Sequence, residues 1–163
     1  MISFGVDIGG TGCKCVAFDE KGRQLAISYE EYPLAAGMVN LPPEILAESV
    51  IRVIRGCADK LENREDIVAI TVSSFGESFV AVDEAGKALD DIRMYFGNSE
   101  SAAFDALVEK VGAERFMEVC RILPDASYSL AKMLYTMEIA KRPVWKFLFI
   151  AGYICYKLSG KAY

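Results

Sequence analysis

The chain has 163 residues, with 18 Lys+Arg against 23 Asp+Glu, a formal net charge of −5, five Cys and no His. A hydrophobic fraction of 53% with 25% charged residues excludes a disordered chain, because that much apolar surface can offset the entropy of ordering. The acidic balance argues against nucleic acid as a partner, and the lack of His removes Ser-His-Asp and Cys-His nucleophiles and every His-containing metal site.

The start, Met1 to Asp7, has no basic region followed by an apolar core and does not read as a signal peptide. Ile2 to Ile8 reads as a strand running into Gly9-Gly10-Thr11-Gly12, a tight turn that glycine makes cheaply. Cys13 to Phe18 resumes a strand, Asp19-Glu20-Lys21-Gly22 is a hairpin turn with Gly where φ > 0 is wanted, and Gln24 to Tyr32 completes an antiparallel meander. Cys13 and Cys15 share one strand face without a Cys-x-x-Cys pattern, and they read as small core residues in a reducing, cytoplasmic setting.

From Pro42-Pro43 the period changes. Leu46, Val50, Val53, Ile54, Cys57 and Leu61 form one helical stripe, with Glu48, Arg52, Arg55 and Asp59 opposite. Ile67 to Val72 is a continuous apolar run, which predicts a strand covered on both faces and reached by a helical crossover. Phe79 to Val82, the turn Asp83-Glu84-Ala85-Gly86 and an extended piece to Leu89 predict a second hairpin. Beyond Ser99 the pattern is helical, with stripes of Phe104, Leu107, Val108 and Val111, then Phe116, Met117 and Cys120, then Leu130, Met133, Leu134 and Met137, closed by Pro143. Val144 to Leu158 is the most apolar stretch, but it is shorter than the ~20 residues a membrane span needs and reads as buried. The whole is one mixed α/β domain, residues 1–163, with no linker.

Three segments can carry chemistry. In Asp7-Ile8-Gly9-Gly10-Thr11-Gly12-Cys13-Lys14 the glycine turn exposes backbone N–H groups to a phosphate chain; Thr11 adds a hydroxyl, Lys14 a positive charge, and Asp7 a carboxylate for hydrated Mg²⁺. The same residues also read as a plain glycine hairpin whose Asp caps its own turn. Ser73-Ser74-Phe75-Gly76-Glu77-Ser78 lies beyond the carboxyl end of a strand, where ligands of crossover sheets bind, and Glu77 could accept the hydroxyls of a polyol; an exposed Glu in a β-turn is the alternative. Asp90-Asp91 reads as a surface pair, and Tyr95 as a ring that could lie against a sugar.

Together these segments resemble a family. Asp7-Ile8-Gly9-Gly10-Thr11 with Lys14 looks like the first phosphate loop of the sugar kinase, heat-shock and actin superfamily. Ser73 to Ser78 followed by Val82 to Gly86 looks like the substrate loop of the FGGY carbohydrate kinases, the group of xylulokinases, gluconokinases and glycerol kinases. Ser129 to Lys132 resembles that family's Lys-containing helix, and Tyr153 to Gly160 its Asp-Tyr…Lys-Leu-Thr-Gly segment. Two positions depart from the pattern: Gly97-Asn98-Ser99 stands where the family has Asp-x-Arg, and Gly152 where it has Asp.

The resemblance implies a ribonuclease H-like, actin-like lobe and ATP-dependent phosphorylation of a sugar or polyol hydroxyl. It implies Asp7 for Mg²⁺, and Gly9, Gly10, Thr11, Gly12 and Lys14 for the ATP phosphates. For the acceptor it implies Phe75, Gly76, Glu77, Tyr95 and Ser127. The family's adenosine site and catalytic Asp belong to a second, C-terminal lobe, so no catalytic base is expected among these residues. A lobe without its partner exposes an apolar face, which favours a homodimer. The alternative is a degenerate module of the same fold that binds a sugar, a nucleotide or a protein without turnover. A second kinase family with the same Asp-Ile-Gly-Gly-Thr start is disfavoured, because its members carry a His-containing segment and this chain has no His.

Overall fold

The computed structural model describes residues 1–33, 40–94 and 102–162. The meander forms as expected: β1 (Ile2–Ile8), β2 (Gly12–Asp19) and β3 (Gln24–Glu31) pair antiparallel in turn. A short β4 (Asn40–Leu41) leads into α1 (Pro43–Ala58), which returns the chain to β5 (Ile67–Ser74), parallel to β1. The sheet order is therefore β3-β2-β1-β5. After β5 come β6 (Phe79–Val82), a short β7 (Ile92–Arg93) paired with β4, and the helices α2 (Ala102–Val111), α3 (Ala113–Cys120) and α4 (Ser129–Ile139). Last are β8 (Lys146–Phe149), antiparallel to β6, and α5 (Ile150–Ser159).

Alternation builds the core. Phe4, Val6 and Ile8 stand opposite Ala17, Cys15 and Cys13 on one face of the sheet, and all six are buried against Leu46, Val50, Val53 and Cys57 of α1. Pro at the first turn, Glu44 near the N-terminus and Arg55 near the C-terminus suit α1 to its direction. Ile150, Tyr153 and Ile154 of α5 extend the same core. Buried Cys13 and Cys15 are the core residues their spacing predicts. Burial pushes the Cys13 thiol up to about 11, and burial followed by the neighbouring Cys57 pushes Cys15 up to about 12, so neither is a nucleophile near neutrality.

The two Asp-x-x-Gly turns are built alike. Asp19 Oδ1 accepts the N–H of Lys21 and Arg23, and Asp83 Oδ1 accepts the N–H of Ala85 and Lys87, while Gly22 and Gly86 hold φ 75° and 74°. The second turn closes the expected short hairpin, with Val82 bridged to Ala88 and the Leu89 N–H donating to Ala81 O at 2.9 Å, and β6 also pairs with β8. The apolar stretch from 144 to 158 divides into β8 and α5, and among the described residues no helix is long and apolar enough to cross a membrane.

Two expectations are corrected. β5 is not covered on both faces: it is an edge strand, with Val68 60% and Ile70 44% exposed, because α1 packs chiefly over β2 and β3 and only lightly over β1. An apolar run reports strand propensity but not which neighbours arrive. In α4 the buried residues are Ala131, Lys132 and Thr136, while Leu130 and Met137 of the expected stripe face outward. Lys132 takes an inward position because its ammonium finds acceptors there.

Candidate functional site

β1 and β5 are parallel and in register, so their carboxyl ends, Ile8 and Ser74, finish side by side. The N–H of Phe75 donates to the carbonyl of Ile8 at 3.0 Å and ties the glycine hairpin to the Ser-rich loop. The two strongest sequence candidates thus meet at one end of the sheet, as expected of crossover topology.

Across that end, Asp7 stands opposite Lys14 on one side and Ser73 on the other, on the face turned away from α1. Lys14 Nζ lies 3.0 Å from Asp7 Oδ2, and both side chains are about half exposed, 48% and 53%. The pair leaves a carboxylate and an ammonium at the mouth of the hairpin, each free to exchange its partner for a ligand.

The hairpin is closed by Gly9 N–H donating to Gly12 O at 2.8 Å. Its glycines are needed for room and not for left-handed backbone, since none of the three has a positive φ. A Cβ on Gly12 would lie 2.5 Å from the carbonyl oxygen of Glu30, so only glycine lets β2 begin so near β3. Gly12 is accordingly buried, whereas Thr11 is exposed and Gly10 partly so. Among the described residues, the amides of Gly10 and Thr11 donate to no protein acceptor, which leaves them available to an anion. Tyr32, which the sequence reading passed over, holds this turn from the end of β3: its hydroxyl donates to Gly9 O at 3.1 Å and its N–H to Thr11 O at 3.0 Å. Burial pushes its phenol well above the ordinary value, which keeps that donor protonated.

Glu77 follows Phe75 and the unobstructed Gly76, and its backbone is left-handed at φ 58°, unusual for a non-glycine residue. Its carboxylate caps α4: Oε2 accepts both the N–H and the hydroxyl of Ser129, each at 2.7 Å. Ser78 is buried and donates to Arg93 O at 2.8 Å, which sets β7 beside this loop. Ser127 joins the same neighbourhood, since its carbonyl and that of Glu77 both accept from Lys132 Nζ. Tyr95 and the Gly97-Asn98-Ser99 departure lie outside the described residues.

Asp90-Asp91 is a structural pair. Asp90 Oδ2 holds Arg93 at 2.7 Å, Asp90 Oδ1 accepts the Asp91 N–H, and the Arg93 guanidinium lies 4.4 Å from the centre of the Tyr135 ring. Burial, then neighbouring Asp90 and Glu44, hold the Asp91 carboxyl above its ordinary range.

Among the described residues, no three His, Cys, Asp or Glu side chains converge on a metal position. A lone half-exposed carboxylate such as Asp7 suits a hydrated Mg²⁺ carried in by phosphates better than an all-protein cage. The donor set at the hairpin, two free amides with Thr11 and Lys14, likewise suits a phosphate chain.

Comparison with known proteins bears on the fold and the family. The family model described as the N-terminal domain of the FGGY family of carbohydrate kinases matches residues 2–163. A xylulose kinase of Staphylococcus xylosus is 19% identical over 98% of this chain and 34% of its own length, and a glycerol kinase of Halobacterium salinarum 25% over 83% and 28%. The chain therefore spans about a third of the curated relatives it matches. Among solved structures, gluconate kinase and ligand-bound xylulose kinase of Lactobacillus acidophilus each superpose with a TM-score of 0.84 at 21% identity, over 99% of this chain and 34% of theirs. The fold is the ribonuclease H-like, actin-like one of those kinases. With this sheet order, this hairpin and a family match from end to end, the chain belongs to the FGGY family of carbohydrate kinases and corresponds to its N-terminal domain.

Proposed function

We propose that this chain is the phosphate- and acceptor-binding lobe of an ATP-dependent kinase that phosphorylates a sugar or polyol hydroxyl. The observation that carries the reading is the bond from Phe75 N–H to Ile8 O, which joins an anion-receiving hairpin to a loop bearing an exposed carboxylate. In this reading Gly9, Gly10, Thr11, Gly12 and Lys14 line the terminal phosphates of ATP, and Asp7 holds Mg²⁺ through water. Gly12 contributes by fixing the turn, since it is buried. Glu77 orients the acceptor together with Phe75, Gly76, Tyr95 and Ser127.

Bound Mg²⁺ supplies charge neutralisation on the phosphates during transfer. Phosphoryl transfer leaves the protein little covalent work, so this lobe's part is positioning and charge. Lys14 adds a positive charge beside the hairpin amides, and its bond to Asp7 keeps both groups near that position. The base that takes the hydroxyl proton comes from a second lobe outside these residues. Residues 1–163 alone are therefore expected to give no turnover.

The test is ADP release by the product of the complete reading frame, given Mg-ATP and D-xylulose, gluconate or glycerol. Turnover that Asp7→Ala lowers by about 10²–10³-fold, the range for losing one electrostatic contributor, supports the reading. A folded product silent on all three and on wider sugars would overturn it.

A further inference from the structure

Lys132 is fully buried, at 0% exposure, in the first turns of α4. Among the described residues it forms no ion pair; its Nζ donates instead to the carbonyl of Glu77 at 2.8 Å and to that of Ser127. An ammonium taken out of water without a carboxylate against it is costly, and burial holds Lys132 below its ordinary value, opposed by the more distant Glu77 and Asp125. Such a group persists where its donors fix something that solvent would leave loose.

What it fixes is Glu77. That residue is gripped at both ends by one turn of helix: Ser129 N–H and Oγ take Oε2 of its carboxylate, and Lys132 takes its carbonyl. The grip explains how a non-glycine residue stays at φ 58°, a conformation that costs free energy unless its surroundings impose it. Both Ser129 bonds fall on Oε2. Oε1 has no protein donor among the described residues, and the side chain is exposed. One carboxylate oxygen is thus spent on the helix and the other presented outward.

We infer that Lys132 is a positioning residue whose buried ammonium, together with Ser129, sets the left-handed turn at Glu77 so that Oε1 faces the acceptor hydroxyl. The inference rests on the carbohydrate-kinase reading for the identity of the acceptor, but the grip itself is a property of the fold. It separates two kinds of binding: Glu77 is held for the acceptor, while the ATP phosphates meet the hairpin and do not depend on Lys132.

The test compares wild type, Lys132→Met, Lys132→Arg and Ser129→Ala in the complete gene product, with D-xylulose, gluconate and glycerol as acceptors. Lys132→Met is expected to raise the acceptor KM by about 10- to 100-fold, the range for losing a hydrogen bond from a charged donor, with the ATP KM unchanged. Lys132→Arg, which keeps a charged donor, is expected to recover part of that loss, and Ser129→Ala, which removes only the hydroxyl, to give a smaller rise of the same kind. Amide exchange gives a readout without turnover: Lys132→Met should speed exchange at 76–79 and 127–129 and leave β1 to β3 as in wild type. A fall in kcat with both KM values unchanged, or parallel rises in both, would mean that Lys132 only stabilises the fold. If wild type turns over none of the acceptors, the kinase reading fails, and exchange alone then decides the grip. Should Lys132→Met fail to fold, Ser129→Ala carries the test, and an unchanged acceptor KM and unchanged exchange at 76–79 in that variant would overturn the inference.

Discussion

Single residues here are chosen as often for the space they leave as for the groups they bring. Gly12 is the clearest case, because a Cβ there would lie 2.5 Å from Glu30 O, and its absence lets β2 start close beside β3. Gly12→Ala should therefore cost about 1–3 kcal/mol by overpacking against backbone, which can move only by distorting β3. Gly152 is the counterexample: it sits in α5 with nothing within 4 Å of a Cβ and no positive φ, so Gly152→Ala should stabilise by about 0.4–1 kcal/mol. Urea denaturation of the two variants beside wild type checks both, and opposite signs are expected. The sequence displayed the hairpin's chemistry, since Asp7, Thr11 and Lys14 could be named from it, but it did not distinguish a glycine needed for φ from one needed for room. Tyr32 was invisible for a related reason. A Tyr at a strand end is ordinary, and only the close of β3 against the hairpin gives its hydroxyl Gly9 O to meet.

Among the elements, α1 and β3 are joined by a polar tie as well as by the core. Glu30 Oε1 receives Arg52 Nη2 at 2.6 Å and Ser49 Oγ at 3.0 Å, and these bonds, chiefly that from Arg52, hold its carboxyl below the ordinary 4.5. A depressed carboxylate contributes stability that is present above its unfolded value and lost as pH falls through its folded one. The chain should lose stability below about pH 4.5 for this reason, and a pH series of denaturation midpoints should show a shallower acid-side slope in Glu30→Gln. On the apolar side of the same helix, Leu46 is fully buried and Leu46→Ala should cost about 2–5 kcal/mol by chemical denaturation. The meander, α1, both Asp-x-x-Gly turns and the helical nature of 102–139 were legible, because each has a local period or a turn residue that stands alone. What escaped was set by partners remote in sequence. β6 also takes β8 as a neighbour, and α4 turned a lysine inward because the carbonyl of Glu77 lay 55 residues away.

For the molecule as a whole, the sheet is unevenly dressed. One face carries α1, while edge strand β5 shows Val68 and Ile70 to solvent, 60% and 44% exposed. An open apolar edge is a template for another chain, so a polypeptide limited to these residues should associate as its concentration rises. Val68→Lys with Ile70→Lys should suppress that in sedimentation velocity; association that persists would locate the contact elsewhere. The glycine hairpin, by contrast, is held from both sides. It is fastened by Tyr32 on one side and, through Ile8, by Phe75 on the other, so its amides reach their positions when the chain folds and not when a ligand arrives. The entropy of arranging that turn is then lost during folding, and an anion meeting it gives up little beyond its own freedom and its water. Calorimetry should accordingly find phosphate association there with a small heat-capacity change, the signature of a surface that was waiting in its final shape.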